Sequence, residues 1–298
     1  MTGMSRQAVS SVAVILAGTA VWAVAGPPVG SGDVPALLAR VGQRLEQSYA
    51  RARHVVCRET VRLQPLGHDL LWDGSHVRQL VYELRVSWEA ASGDGKPPDA
   101  TVLRRLLSVD GRPPRAGDKP GCLDPKSVSP EPLAMLLPHQ QHDFVFSLAG
   151  ERRTRAGSIA MLDFKSVSTE PPDIQWKDEC VSADVPGRTR GRVWVEADTA
   201  DVVRLDTQLT GLFEIPVPKP QIRRGAVSPL IFERADTSIR YRPVAFQDPD
   251  EIVMLPESIV TIEVARNAGV PRLRTTQTFS DCQRFITDAR IVKDSDTR

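Results

Sequence analysis

The segment 80–88 alternates between the two faces of a strand, and this period of two restricts what the chain can fold into. Its even positions are all apolar: Leu80, Tyr82, Leu84, Val86 and Trp88. The odd positions include Glu83, Arg85 and Ser87. Successive side chains of a β-strand point to opposite faces, so the pattern predicts a strand with one face on a core. Only the even side chains can line an apolar interior.

The composition and the pattern of the sequence predict strands over most of the chain. Aromatic residues make up 5% of the sequence and proline contributes 24 residues, which favours short strands and many turns over a helical bundle. Further strands are predicted at 55–64, 101–109, 143–149, 157–167, 229–234, 236–246, 251–265 and 271–286. Strands joined by short turns must be antiparallel neighbours, because a parallel crossover needs about a dozen residues or more. The chain is therefore predicted to form a long antiparallel meander.

The clearest hairpin lies in the second half of the chain. Apolar strands at 192–196 and 202–206 flank Asp198-Thr199-Ala200-Asp201, whose small and polar residues suit a tight turn.

An amphipathic helix is predicted at 34–52, with Asp33 as its cap and Pro35 in its first turn. Its apolar positions recur at three- and four-residue steps: Leu37, Leu38, Val41, Leu45 and Tyr49. A second, short helix is predicted at 130–137. The expected fold class is α+β and mainly antiparallel β, with a curved, open sheet packed on the N-terminal helix. We expect a single domain over 34–298, with loop excursions at about 110–135 and 169–187.

The first 25 residues have the pattern of a cleavable secretory signal. Arg6 precedes an uncharged, mostly apolar run that ends at Ala23-Val24-Ala25, and a Pro/Gly-rich leader follows at 26–33. The alternative is an uncleaved membrane anchor, but the run is short for a bilayer span of about 20 residues. No later segment is long and apolar enough to span a membrane. The expected location is the periplasm or the outside of the cell.

Four cysteines in an exported chain allow two disulfides, with three possible pairings. A Cys122–Cys180 bridge is favoured because both residues lie in polar, Pro-rich connecting segments with no ladder to restrain them. Cys57 and Cys282 remain open between a second bridge and two buried thiols. Zinc is not indicated, since no close pairs of ligands occur.

Charge and motifs exclude several functions. Arg6 is the only charged residue of the first 25, so the mature chain has 37 basic and 37 acidic residues. This balance argues against nucleic acid as a partner. His139 and His142 lie beside Pro138 in a predicted polar turn, and Asp248-Pro249-Asp250 lacks the ligand spacing of a calcium loop. We find no catalytic, metal or cofactor motif, and expect no enzyme activity.

The stretch from Gly191 to Leu205 reads Gly-Arg-Val-Trp-Val-Glu-Ala-Asp-Thr-Ala-Asp-Val-Val-Arg-Leu. It is similar to a strand–turn–strand of the periplasmic lipoprotein-carrier superfamily, the LolA/LolB-like and RseB-like proteins, which the order of elements over about 34–292 also resembles. The resemblance implies an incomplete barrel with a helix at one opening. It also implies an apolar concave face that holds acyl chains or a peptide.

These observations predict an exported, non-enzymatic binding protein with no cofactor. Its partner would be an apolar ligand (a lipid or acyl chain) or a protein segment, and the even residues of 80–88 would line the site. The alternative is a structural or assembly protein of the cell envelope that joins envelope proteins through its sheet edges.

Overall fold

The computed structural model describes residues 33–51, 54–88, 100–118, 121–123, 128–129, 131–155, 157–177, 180–222, 227–247 and 250–284. The predicted signal at 1–25, and the leader up to residue 32, lie outside these residues.

The N-terminal helix α1 spans Val34–Arg51. Asp33 caps it as predicted, because its Oδ1 accepts a hydrogen bond from the Ala36 N–H at 3.1 Å. One face of α1 is buried, and it consists of Leu37, Leu38, Val41 and Leu45. The predicted short helix is a 3-10 helix at Glu131–Leu136, and a second follows at Gln141–Asp143. A four-residue helix, α2, spans Lys219–Ile222.

Thirteen strands make up most of the described chain. They are β1 His54–Pro65, β2 Arg78–Trp88, β3 Ala100–Val109, β4 Phe144–Thr154, β5 Gly157–Ser166, β6 Asp173–Lys177, β7 Cys180–Asp184, β8 Thr189–Glu196, β9 Val202–Leu209, β10 Phe213–Ile215, β11 Leu230–Gln247, β12 Asp250–Arg266 and β13 Arg272–Arg284. None of the helices within the described ranges has both the length and the apolar character needed to cross a bilayer.

Eleven of these strands form one curved, unclosed antiparallel sheet, which confirms the predicted fold class. Its order is β3-β2-β1-β13-β12-β11-β9-β8-β5-β4, with β10 paired to β11 off this path. The edges β3 and β4 follow one another in the chain but lie at opposite sides of the sheet. The connection between them carries the 3-10 helices, whose residues Leu133, Met135 and Leu136 pack in the same core as α1.

Two parts of the predicted organisation differ from the structure. The strands predicted at 229–234 and 236–246 are one strand, β11, because Ala235 and Asp236 keep their pairing with Glu263 and Ile262 of β12. The predicted loop excursion at 169–187 contains the hairpin β6–β7, which forms a separate two-stranded ribbon. Its short strands carry few apolar residues and therefore leave a weak signal in the sequence.

The core lies on the face of the sheet that α1 and the 3-10 helices cover, and we call this face the concave face. A row of directly paired residues runs across five neighbouring strands of this face: Leu162, Val193, Leu205, Ile239 and Ile259. All five are at most 2% exposed. Since paired residues on adjacent strands point to the same face, this row fixes which side of the sheet is inside.

Candidate functional site

A cavity with a volume of about 280 Å3 lies on the concave face. Its floor comes from β8, β9, β11, β12 and β13. Each of these strands packs in the core at one end and borders the cavity at the other. On β11, for example, Ile239 and Tyr241 are buried in the core, whereas Ala235 and Thr237 line the cavity. The cavity is therefore the part of the concave face that α1 does not fill.

A transverse row of threonines forms the floor. Thr207 pairs with Thr237, Thr237 with Thr261, and Thr261 with Thr275, so four neighbouring strands each present one threonine. We call these four residues the threonine row. All four line the cavity, and the Oγ1 atoms of Thr237 and Thr261 are 3.3 Å apart. A threonine hydroxyl donates and accepts hydrogen bonds, so the row is a polar stripe beside the apolar core.

Another part of the cavity lining is apolar. Phe213 and Ile215 of β10 border it, together with Phe232 of β11, with which Phe213 is paired. The β6–β7 ribbon and the turn after it add Val181 and Val185. An amphipathic molecule that lies in this space would have apolar contacts with these residues and hydroxyl groups of the threonine row within the same lining.

A disulfide joins two of the segments that border the cavity. Cys122 is bonded to Cys180, the first residue of β7. Next to it, the Gly121 N–H donates to the Tyr82 hydroxyl at 3.4 Å. Burial raises the pKa of Tyr82, and this hydrogen bond acts in the opposite direction. The segment 121–123 is thus held both to the ribbon and to the concave face of β2.

The second disulfide, Cys57–Cys282, joins β1 to the neighbouring strand β13. It lies at a register shift between these strands, and Cys57 is buried in the core. None of the four cysteines is free.

A buried polar cluster lies at one side of the cavity. The Glu59 side chain is fully buried on β1, and Arg104 of β3 donates to both of its oxygens, from Nε at 2.8 Å and from Nη2 at 3.4 Å. Gln277 of β13 lines the cavity and donates its Nε2–H to Glu59 Oε1 at 2.8 Å. Three side chains from three strands thus satisfy one another in the interior, as buried charged groups require.

The residues predicted to line a ligand site are placed elsewhere. Leu80, Tyr82, Leu84 and Val86 do share the concave face, and each is at most 4% exposed. They do not border the 280 Å3 cavity: Leu84 and Val86 pack in the main core, and Leu80 and Tyr82 form a smaller cluster with Val61 and Val109. The side chain of Trp88 is outside the described residues, and the lining role of this set stays a prediction.

The histidines at 139 and 142 and the acidic segment at 248–250 form no metal centre within the described residues. His142 lies 3.6 Å from Asp143 at an exposed position, and Asp248 and Pro249 are outside the described residues. Where side chains are described, no three histidine, cysteine or acidic residues are grouped so as to hold a metal ion. Glu263 is the one acidic residue, and no histidine or lysine is present, among the described residues that line the cavity.

The sequence reasoning missed the residues that do line the cavity. The threonine row is spread over four strands, and threonine is a common strand residue, so nothing marks these four as a set. Glu59 was detectable in principle. Glu59 lies on the same face of β1 as Val55, Cys57 and Val61, because every second residue of a strand shares a face. A carboxylate among apolar residues on such a face indicates a buried polar partner.

The chain matches no protein-family model, and no curated protein sequence is similar to it. Several solved structures show a distant similarity to this chain. A LolA superfamily protein of Nitrosomonas europaea has 9% identity and a TM-score of 0.33, over 84% of this chain and 95% of that one. A DUF1329 family protein of Desulfovibrio piger has 11% identity and a TM-score of 0.39, over 85% and 94%. The MucA/MucB complex of Pseudomonas aeruginosa has 10% identity and a TM-score of 0.22, over 82% and 93%.

The first of these structures belongs to the superfamily that the sequence resembles. At TM-scores below 0.5 the likeness bears on neither ligand nor activity.

Proposed function

We propose that this chain is an exported, non-enzymatic binding protein that holds the apolar part of a ligand in the cavity of its concave face. The observation that carries the proposal is the cavity itself. At about 280 Å3 it lies just below the usual range of small-molecule sites, about 300–1,000 Å3. Phe213, Ile215 and Phe232 contribute apolar side chains to its lining, and the strands that form its floor are fixed at their other ends by the packed core.

The chemistry of the lining supports binding over catalysis. Hydrolysis or group transfer by side chains needs a nucleophile and a base within hydrogen-bond reach of each other. The cavity offers threonine hydroxyls and the apolar side chains of Phe213, Ile215 and Phe232. This arrangement can orient an amphipathic ligand, and Glu263 is the one acidic residue among the described lining residues, with no histidine or lysine beside it.

A cavity-filling substitution tests the proposal. Ala235 lines the cavity from β11, so Ala235→Trp should fill part of it and reduce binding of Nile red, an uncharged probe whose fluorescence rises in apolar surroundings. Ala245→Trp is the matched control, because Ala245 is exposed on the same strand. If the unmodified protein fails to bind the probe, or both variants bind it equally well, the cavity is not a ligand site.

Native mass spectrometry of protein taken from the periplasm tests export and occupant together. We expect a chain that begins at Gly26 and carries a small apolar ligand. A chain that retains residues 1–25 would contradict cleavage, and a bound peptide would identify a protein segment as the occupant.

The edges of the sheet support a second candidate, an assembly role in the cell envelope by strand addition. β3 and β4 have a sheet neighbour on one side only within the described residues, and each exposes a large apolar side chain, Leu103 at 61% and Val145 at 59%. Proline at position 145 should abolish a stable partner complex that forms through β4 and leave Nile red binding unchanged. Persistence of the complex would argue against this edge.

A further inference from the structure

The side chain of Gln277 has a fixed orientation at the boundary of the cavity. It is 3% exposed and lies on the same face of β13 as Thr275, two positions earlier. Its neighbour Glu59 forms an ion pair with Arg104, and both of its carboxylate oxygens accept hydrogen bonds from that guanidinium. The Gln277 amide therefore directs its NH2 group toward Glu59, and its Nε2 lies 2.8 Å from Glu59 Oε1.

The hydrogen bond to Glu59 also fixes the direction of the carbonyl oxygen at the other end of the Gln277 amide. With Nε2 directed to Glu59, the carbonyl Oε1 of Gln277 is directed away from it and receives no hydrogen bond from the described residues. An amide oxygen has two lone pairs that can accept hydrogen bonds. Gln277 borders the cavity, so a ligand is placed to supply a donor.

The charges of the residues that line the cavity further limit the chemical class of the ligand. Of the described residues that border the cavity, none is lysine, arginine or histidine. A carboxylate or phosphate in this space would lose its water without gaining a cationic partner, which is strongly unfavourable. A hydroxyl or amide group would instead find Gln277 Oε1 and the threonine row.

We propose that the cavity selects an uncharged amphiphile that carries a hydroxyl or an amide N–H, and that Gln277 Oε1 accepts a hydrogen bond from this group. This inference rests on the proposed function. Glu59 and Arg104 are positioning residues, since they orient the Gln277 amide without lining the cavity. The threonine row provides further donors and acceptors along the floor. The apolar chain of the amphiphile packs against Phe213, Ile215 and Phe232.

Three decanoyl compounds of equal chain length test this selectivity on the unmodified protein by displacement of Nile red. They are 1-monodecanoylglycerol, which has hydroxyl donors, methyl decanoate, which has none, and decanoate at pH 8, which is an anion. We expect the glyceride to bind about tenfold more tightly than the methyl ester, the factor for one neutral hydrogen bond, and decanoate to bind weakest. Equal affinity for glyceride and ester, or a preference for decanoate, would overturn the proposal.

Variants then assign the selectivity to Gln277. Gln277→Met keeps the length of the side chain and removes the acceptor, so glyceride binding should weaken about tenfold while methyl decanoate changes less than about twofold. Gln283→Met is the matched control, because Gln283 is exposed on the same strand, does not border the cavity and should leave both affinities unchanged. A glyceride preference that survives Gln277→Met would exclude this residue as the acceptor.

A second variant covers the case in which Gln277→Met does not fold. Thr237→Val is isosteric, removes one hydroxyl of the threonine row and should reduce the glyceride-to-ester preference. An unchanged preference would contradict the polar floor as a recognition surface. Failure of every decanoyl compound and of Nile red to bind would instead refute the proposed binding function, so the two failures are distinguishable.

Discussion

Arg44 on α1 and Asp201 in the turn between β8 and β9 form a two-pronged ion pair, with Arg44 Nε 2.7 Å from Asp201 Oδ1 and Nη2 3.2 Å from Oδ2. The pair is partly buried, with side-chain exposures of 30% and 12%. Arg40, one turn earlier, donates to the Ala197 carbonyl of the same turn. The helix is thus fixed over one end of the sheet, which leaves the cavity at the other end open.

This ion pair should contribute measurably to stability. We expect Arg44→Met and Asp201→Asn each to lower the free energy of unfolding by about 1 kcal/mol, with a coupling of about 0.5–1 kcal/mol in a double-mutant cycle measured by urea unfolding. The more exposed pair of Glu83 and Arg105 serves as the comparison, and its coupling should be smaller. Equal couplings would contradict a special role for the helix–turn pair.

Gly191 should not tolerate a side chain. A Cβ at this position would lie 1.9 Å from the Asp206 carbonyl oxygen and 2.8 Å from Cζ of Phe164, so Gly191→Ala forces β8 and β9 apart. We expect a loss of several kcal/mol, on the order of 3 or more, in urea unfolding. Gly269→Ala, where a Cβ meets nothing within 4 Å, should change stability by less than about 0.5 kcal/mol.

A substitution at Leu84 tests whether the concave face of β2 is a packed core or a ligand-binding surface. It is 2% exposed and belongs to the main core, so Leu84→Glu should unfold the protein, as judged by circular dichroism. Leu103→Glu is the matched control: Leu103 is 61% exposed and pairs with Arg85 on the next strand. A folded Leu84→Glu protein that no longer binds Nile red would move the ligand site to the face of β2.

Tyr82 should make stability depend on alkaline pH. Burial raises its pKa above that of a tyrosine in the unfolded chain, about 10. Above that pH the unfolded chain loses the phenol proton while the folded protein retains it, so the free energy of unfolding falls as pH rises. Urea unfolding at pH 9–11 should show a weaker fall for Tyr82→Phe than for the unmodified protein. Parallel curves would contradict the raised pKa.

Local patterns were sufficient to predict several elements from the sequence. The alternation in 80–88 determined which residues of β2 share a face, because side chains of a strand alternate whatever the surroundings. Likewise, three- and four-residue spacing identified the buried face of α1, and Asp198–Asp201 identified the turn of the β8–β9 hairpin.

The tertiary structure alone decided where the cavity lies and what borders it. Register brings Thr207, Thr237, Thr261 and Thr275 into one row, although each is an ordinary strand residue in its own segment. Pairing of β1 with β13 likewise brings Gln277 to Glu59, 218 residues away. Alternation tells which side chains share a face, whereas long-range pairing and the placement of α1 determine which part of that face is covered. Those depend on contacts between distant segments, which no local pattern in the sequence records.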